Sequence, residues 1–149
     1  METIAIKKAA FKKALLSLNR AIEQYKRASS LSDCTDSCAL VFQDQTELLR
    51  TTRDSMIQRF EYCVDSSWKC LKTRLETIEK ITLPIKSPRE IFRAACAARL
   101  LSEQEVQQAL VMVDARNITS HRYKEEEAEI LAGNIGQYYA LLQTIAQKV

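Results

Sequence analysis

Arg59 to Lys80 reads RFEYCVDSSWKCLKTRLETIEK. Phe60, Val64, Trp68, Leu71, Leu75 and Ile78 recur in it at three- and four-residue intervals, the period of one helix face. No Gly or Pro interrupts the run, which extends back to about Asp44. A helix of that length needs other helices to cover its apolar face. The composition agrees: the whole chain of 149 residues holds only two Gly and two Pro, too few for the tight turns of a strand-rich fold.

Working outward, the preceding helix is expected at about Thr3 to Ser29, with Ala10, Ala14, Leu18, Ala21 and Tyr25 as its stripe. Ser30 to Gln43 is rich in Ser, Asp, Cys and Thr and reads as a loop, with room for one helical turn at Ala39–Phe42. Ile81 to Lys86 is a connector holding Pro84. A third helix starts at an N-cap Ser87 with Pro88 at the first helical position and Glu90 three residues on, and ends near Leu100. A fourth repeats the pattern with Ser102 and Glu105 and runs to about Ser120. A fifth starts near Lys124, with Glu125, Glu126 and Glu127 where the helix dipole favours acids. Its stripe is Leu131, Ile135, Tyr138, Leu142 and Ile145. The small residues Ala132, Gly136 and Ala140 form a second row that admits another helix closely. One domain over residues 1–149 is expected, an all-α up-and-down bundle of four to five helices.

Charge and cysteine set limits. The net charge of +3 is too small to argue for duplex binding. Residues 1–30 concentrate it, with seven basic residues against Glu2 and Glu23. That excess is either a solvated helix face or a surface for phosphate or an acidic partner. Five Cys (Cys34, Cys38, Cys63, Cys70, Cys96) make a disulfide framework a poor reading, and one His makes a zinc site a poor one. No metal or cofactor is expected. Met1 to Lys8 lacks the apolar stretch of a signal peptide, and Ile130 to Gln147 is too polar to span a membrane, so a cytoplasmic protein is expected.

Two features could carry chemistry. The first is Arg116-Asn117-Ile118-Thr119-Ser120-His121-Arg122-Tyr123. Extending the Val106, Leu110, Val113 stripe by fours reaches Asn117 and His121, so polar groups stand where an inward face is expected, and buried polar groups need partners. The alternative is that both cap a helix end. The second is Phe60-Glu61-Tyr62 followed by Trp68-Lys69-Cys70-Leu71-Lys72, with Glu61, Asp65 and Lys72 on a polar row beside the apolar one. The alternative there is a solvated face. A Gly-rich phosphate loop and an acid pair beside a Lys are both missing, so the chain is not read as a nucleotide- and magnesium-binding subunit.

Taken in order, Arg53-Asp54, Phe60-Glu61-Tyr62, Trp68-Lys69, Leu71-Lys72, Pro88-Arg89-Glu90 and Arg116-Asn117-x-x-Ser120-His121-x-Tyr123 resemble the nucleotidyltransferase substrate-binding family of the HEPN superfamily. The resemblance covers roughly Arg53 to Ile145. It implies a HEPN-like bundle, usually a homodimer, and a neighbouring-gene partner that is a minimal nucleotidyltransferase, in a toxin–antitoxin-like module. It implies that Arg116 and His121 match the metal-independent ribonuclease residues of HEPN toxins, and that Tyr123 matches a tyrosine adenylylated by the partner. Glu61, Lys69 and Lys72 then become substrate-binding candidates, for RNA or a nucleotide. The sequence departs from the family pattern in a longer Ser30–Gln43 loop and in lacking the usual Gly near the second connector and before the fourth helix, where Arg99-Leu100-Leu101 stands.

Two functions follow from these expectations: a substrate-binding and assembly subunit, or a ribonuclease toxin that its partner neutralises. A neutral imidazole near its ordinary pKa of about 6.5 can take a proton from a ribose hydroxyl, and an arginine can stabilise charge on phosphate. Arg116 and His121 are five residues apart, hence about 140° apart around a straight helix. Asn117 shares the face of His121 and can orient it. Two protomers that join along the fourth helix would bring both Arg116–His121 pairs to one cleft.

Overall fold

The computed structural model describes residues 3–30, 45–84, 86–119 and 124–149. Five helices occur among them: α1 (Ile4–Ser30), α2 (Gln45–Thr77), α3 (Pro88–Ala97), α4 (Glu103–Thr119) and α5 (Glu125–Lys148). They form an up-and-down bundle, and there is no strand among the described residues. Cys34, Cys38 and the Ala39–Phe42 turn, and likewise His121 and Tyr123, lie outside the described residues.

Helix α2 is the hub and packs on α1, α3, α4 and α5. It buries Phe60, Val64, Leu71 and Leu75 as its period requires, and Phe60 stacks on Tyr138 of α5 with ring centroids 5.5 Å apart. Trp68 is half-buried against the core. Ile78 departs from the expectation. It is 50% exposed, because α2 ends at Thr77 and the chain turns away one residue later. Cys63 and Cys70 are buried free thiols, and burial pushes the Cys63 thiol up to about 12.

Helix α1 corrects a second expectation. Its buried face is Phe11, Leu15, Leu18, Ala21, Ile22 and Ala28, whereas Ala10 is exposed and Ala14 and Tyr25 are partly buried. Phe11 and Leu15 adjoin Ala10 and Ala14 and carry far more apolar area, so the helix turns the larger groups inward. The α5 stripe is as expected: Leu131, Ile135, Leu142 and Ile145 are buried and Tyr138 packs against them. Of the small row, Ala132 is buried, while Gly136 and Ala140 are exposed.

The expected helix starts form. Ser87 caps α3 by accepting from the Glu90 N–H at 3.3 Å, with Pro88 at the first position. Ser102 and Glu105 cap α4 reciprocally, each side chain accepting from the other's backbone N–H, at 3.1 and 2.8 Å. Both Glu105 oxygens also accept from the Lys148 ammonium, at 2.7 and 2.9 Å, which ties the start of α4 to the end of α5. At the other ends, Lys80 and Arg99 adopt φ of 57° and 60°, the left-handed region that favours glycine. Ile81 N–H then donates to the Leu75 carbonyl, and Leu100 N–H to that of Ala95, both at 2.9 Å. These two turns are therefore made by side-chain-bearing residues in a strained backbone conformation.

Lys80→Gly and Arg99→Gly are each expected to stabilise the fold by about 0.5–1 kcal/mol, the left-handed strain relieved less the entropy glycine adds to the unfolded chain. Urea melts of the two variants check this. Acidification should act the other way. The Lys148 ammonium holds the Glu105 carboxyl below its ordinary value, and the Arg53 guanidinium does the same for Glu125. A lowered folded pKa gives stability that is complete above the ordinary glutamate range and is lost as pH falls through the lowered values. Thermal midpoints should therefore drop below about pH 4.3, and Glu105→Gln should flatten part of that drop.

Candidate functional site

The two features singled out in the sequence meet. Val64, Asp65 and Trp68 of α2, Pro88 of α3, and Val113, Arg116 and Asn117 of α4 line one open cleft of about 400 Å³. Glu61, Asp65, Trp68 and Lys72 follow one another along α2 at three- and four-residue spacing, so α2 presents a single polar row to that side.

Arg116 lies at the centre of the cleft. Its Nε and Nη2 both donate to the Asp65 carboxylate, each at 3.1 Å, a two-pronged arrangement that matches fork to carboxylate. Both side chains are partly shielded from water, which strengthens the pair relative to an open surface. The Asp65 hydrogen bond raises the Arg116 pKa further, aided by the charges of Asp65 and Glu61. Arg116 is therefore a permanent cation with one edge already engaged.

Asn117 corrects the expectation of an inward polar residue, because its side chain is exposed. The buried arc of α4 is Val106, Ala109, Met112 and Val113, with Arg116 half-buried beyond it. Asn117 falls at the edge of that arc in the last turn, where the other helices no longer cover α4, and so it lines the rim of the cleft. Lys69 and Lys72 do not line it. The Lys69 ammonium lies over the Trp68 ring, 5.7 Å from its centroid, and Lys69 stands on the side of α2 shared with Tyr62 and Ser66.

Two more motif arginines make contacts between helices. Arg53 of α2 is almost fully buried, and its Nη1 and Nη2 donate to Glu125 of α5 at 2.6 and 3.2 Å, while Asp54 accepts from its Nε at 3.2 Å. Arg89 of α3 pairs with Asp114 of α4. Sequence reasoning quoted Arg53 and Arg89 in the motif without a role and placed Asp65 only on a polar row. Helical spacing could find Asp65 beside Glu61, but its partner is 51 residues away in the chain. Among the described residues no group of His, Cys, Asp and Glu side chains is arranged to hold a metal ion, and no helix is long and apolar enough to cross a membrane.

A family described as nucleotidyltransferase substrate binding protein like matches residues 7–149. No curated protein matches the chain. Among solved structures, a protein of Thermus thermophilus is similar at 29% identity over 86% of this chain and 94% of its own, with a TM-score of 0.60. A chain of the tri-AMPylated Shewanella oneidensis HEPN toxin in complex with the MNT antitoxin aligns at 16% identity, covering 99% of this chain and 97% of its own, with a TM-score of 0.65. A chain of the MntA–HpeT toxin–antitoxin pair aligns at 17%, covering 94% and 96%, with a TM-score of 0.63. At such identities the two complexes speak for the fold, which is HEPN-like.

The Asp65–Arg116 pair should contribute to stability as a coupled unit. A double-mutant cycle of Asp65→Ala and Arg116→Ala, read in urea melts, is expected to give a coupling of about 1 kcal/mol, the upper end for a partly exposed pair with good geometry. It should survive moderate salt better than the open Glu23–Lys26 pair.

Proposed function

This chain belongs to the nucleotidyltransferase substrate-binding-protein-like family, and on that premise we propose that it is the substrate-binding subunit of a two-component module whose other member is a minimal nucleotidyltransferase. The observation that carries this reading is the cleft in which Arg116, Asn117, Asp65 and Trp68 converge. It offers a fixed cation for a phosphate, a ring for a base and an amide to hold an oxygen. Glu61 lies close enough for its charge to reach Arg116. In this reading His121 joins the cleft from just beyond α4, and Tyr123 is the residue offered to the partner for adenylylation.

The alternative is a metal-independent ribonuclease with His121 as base and Arg116 as phosphate clamp, restrained by the nucleotidyltransferase. The Asp65 contact bears on both readings, since each sets a phosphate against Arg116. A carboxylate engaging the Nε and Nη2 edge competes with any phosphate for that edge. Cleavage, like phosphate binding, would require the arginine to share that edge or change partner.

A homodimer is part of the proposal. Val111 and Ile118 of α4 and Ile130 of α5 are large exposed apolar side chains on neighbouring helices, and with Ala115, Leu131 and Tyr138 they line a groove of about 320 Å³. Exposed Gly136 and Ala140 on α5 add a surface that a second helix can approach closely. A dimer along α4 would bring two Arg116 clefts into proximity.

Co-expression with the neighbouring-gene nucleotidyltransferase should yield a stable complex and add the mass of at least one adenylyl group, which Tyr123→Phe reduces. No complex with that partner, or an adenylyl load untouched by Tyr123→Phe, counts against the reading. Purified protein that cleaves RNA without metal, and stops on His121→Ala, favours the alternative. Light scattering should show a dimer that Val111→Glu with Ile130→Glu converts to a monomer.

A further inference from the structure

The basic excess at the start of the chain has a structural counterpart away from the Arg116 cleft. Helices α1 and α2 flank a groove of about 620 Å³, within the roughly 300–1,000 Å³ usual for ligand clefts. Ala10, Ala14, Ser17 and Ser66 give its lining small side chains. Lys13, Gln58, Arg59 and Tyr62 complete the lining. Arg59 is held in place by donating from Nη1 to the Ser17 carbonyl at 3.1 Å. Tyr62 is 71% exposed, the most open large apolar or aromatic side chain among the described residues.

The cations of this groove, like several others on the surface, stand without a neighbouring acid among the described residues, whereas those that join the helices are paired. Arg50, Arg53, Arg74, Lys86, Arg89, Arg93, Arg116 and Lys148 each meet a carboxylate within salt-bridge distance. Lys13 and Arg59 meet none among the described residues, and no acidic side chain lines the groove. Helical spacing continues the cationic track in both directions: exposed Arg20 lies two turns beyond Lys13 on α1, and exposed Lys69, whose ammonium must leave the Trp68 ring to join it, two turns beyond Tyr62 on α2.

We propose that the α1–α2 groove binds single-stranded RNA, with Tyr62 as a stacking platform and Lys13, Arg59, Arg20 and Lys69 as the track for the phosphates. An exposed aromatic between cations suits unpaired bases, whose faces a duplex hides. A protein partner of acidic character could use the cations and the tyrosine as well, but it would not compete for an unpaired base stack or distinguish ribose from deoxyribose. The hydroxyls of Ser17 and Ser66 and the Gln58 amide in the lining provide donors and acceptors for the ribose 2′-hydroxyl, which selects RNA over DNA. The groove uses Gln58, Arg59, Tyr62 and Ser66 of α2, a different face from the Val64, Asp65 and Trp68 of the cleft, so the inference stands apart from the function proposed for Arg116.

The test is fluorescence anisotropy of a labelled oligouridine with the full chain across a salt series. Tyr62→Ala should weaken binding about ten-fold or more, the loss of one base–aromatic stack, without changing the salt dependence. Lys13→Ala and Lys69→Ala should each lower the slope of log affinity against log salt by about 0.7, one phosphate contact on a single strand. Arg93→Ala, a cation on α3, should leave affinity and slope unchanged, and unchanged thermal melts exclude misfolding of the exposed-residue variants. Binding that is equal for wild type and Tyr62→Ala overturns the proposal. So does a duplex or deoxyribose strand bound as tightly as the RNA, or binding that disappears only with Arg116→Ala, which would place the strand in the cleft.

Discussion

Helix α2 touches every other helix, so it has no whole face to give to water. Apolar contact is non-directional and tolerates sliding. Three polar groups of α2 do not, and each of these is tied to a particular neighbour. Arg53 reaches Glu125 of α5, Arg59 reaches the Ser17 carbonyl of α1, and Asp65 receives Arg116 of α4. Ser67, fully buried, turns its hydroxyl back to the Val64 carbonyl at 2.7 Å and so needs no partner outside the helix. These contacts fix the register of α1, α4 and α5 along α2 in a way that Phe60 and Leu71 cannot, since a fork-to-carboxylate pair fails when either helix shifts by one residue.

Much of this architecture is legible in the sequence because its signals are local. The Ser87-Pro88 and Ser102-x-x-Glu105 starts depend on atoms within three residues of each other, and both caps form. The α5 stripe packs as its period requires although large apolar residues adjoin it: Leu141 is buried alongside, and Ile130 is left exposed. The α1 stripe does not, because Phe11 and Leu15 compete directly with Ala10 and Ala14, and periodicity alone weighs all apolar residues alike. Ile78 and Asn117 share another cause. Both continue a correct stripe beyond the point where neighbouring helices still cover it, and a period gives direction without saying where cover ends.

The site is legible in part. Spacing puts Arg116 and Asn117 together and Trp68 on the adjoining helix, and the fold brings these into one cleft. What spacing cannot supply is the role of the acids. Asp65, Asp114 and Glu125 lie far along the chain from Arg116, Arg89 and Arg53, and each pair joins two helices. The arginines that make the motif recognisable are thus also fastenings of the bundle. A motif of this kind can persist for framework reasons, so its presence alone does not establish ribonuclease chemistry.

The electrostatics of α2 then divide the two strips of its surface that the other helices leave uncovered. On one, Arg116 is a cation whose charge Asp65 already answers. An incoming phosphate must share or displace that carboxylate, so the cleft favours a ligand that brings shape and stacking contacts with it over one that brings charge alone. On the other, Lys13 and Arg59 stand with no carboxylate among the described residues to offset them, and any phosphate that arrives there displaces only water and counterions. A chain with a net charge of only +3 can therefore still present a cationic groove, because no acid among the described residues lines it. The uneven placement of the acids, more than the total charge, decides which surface an anion meets first.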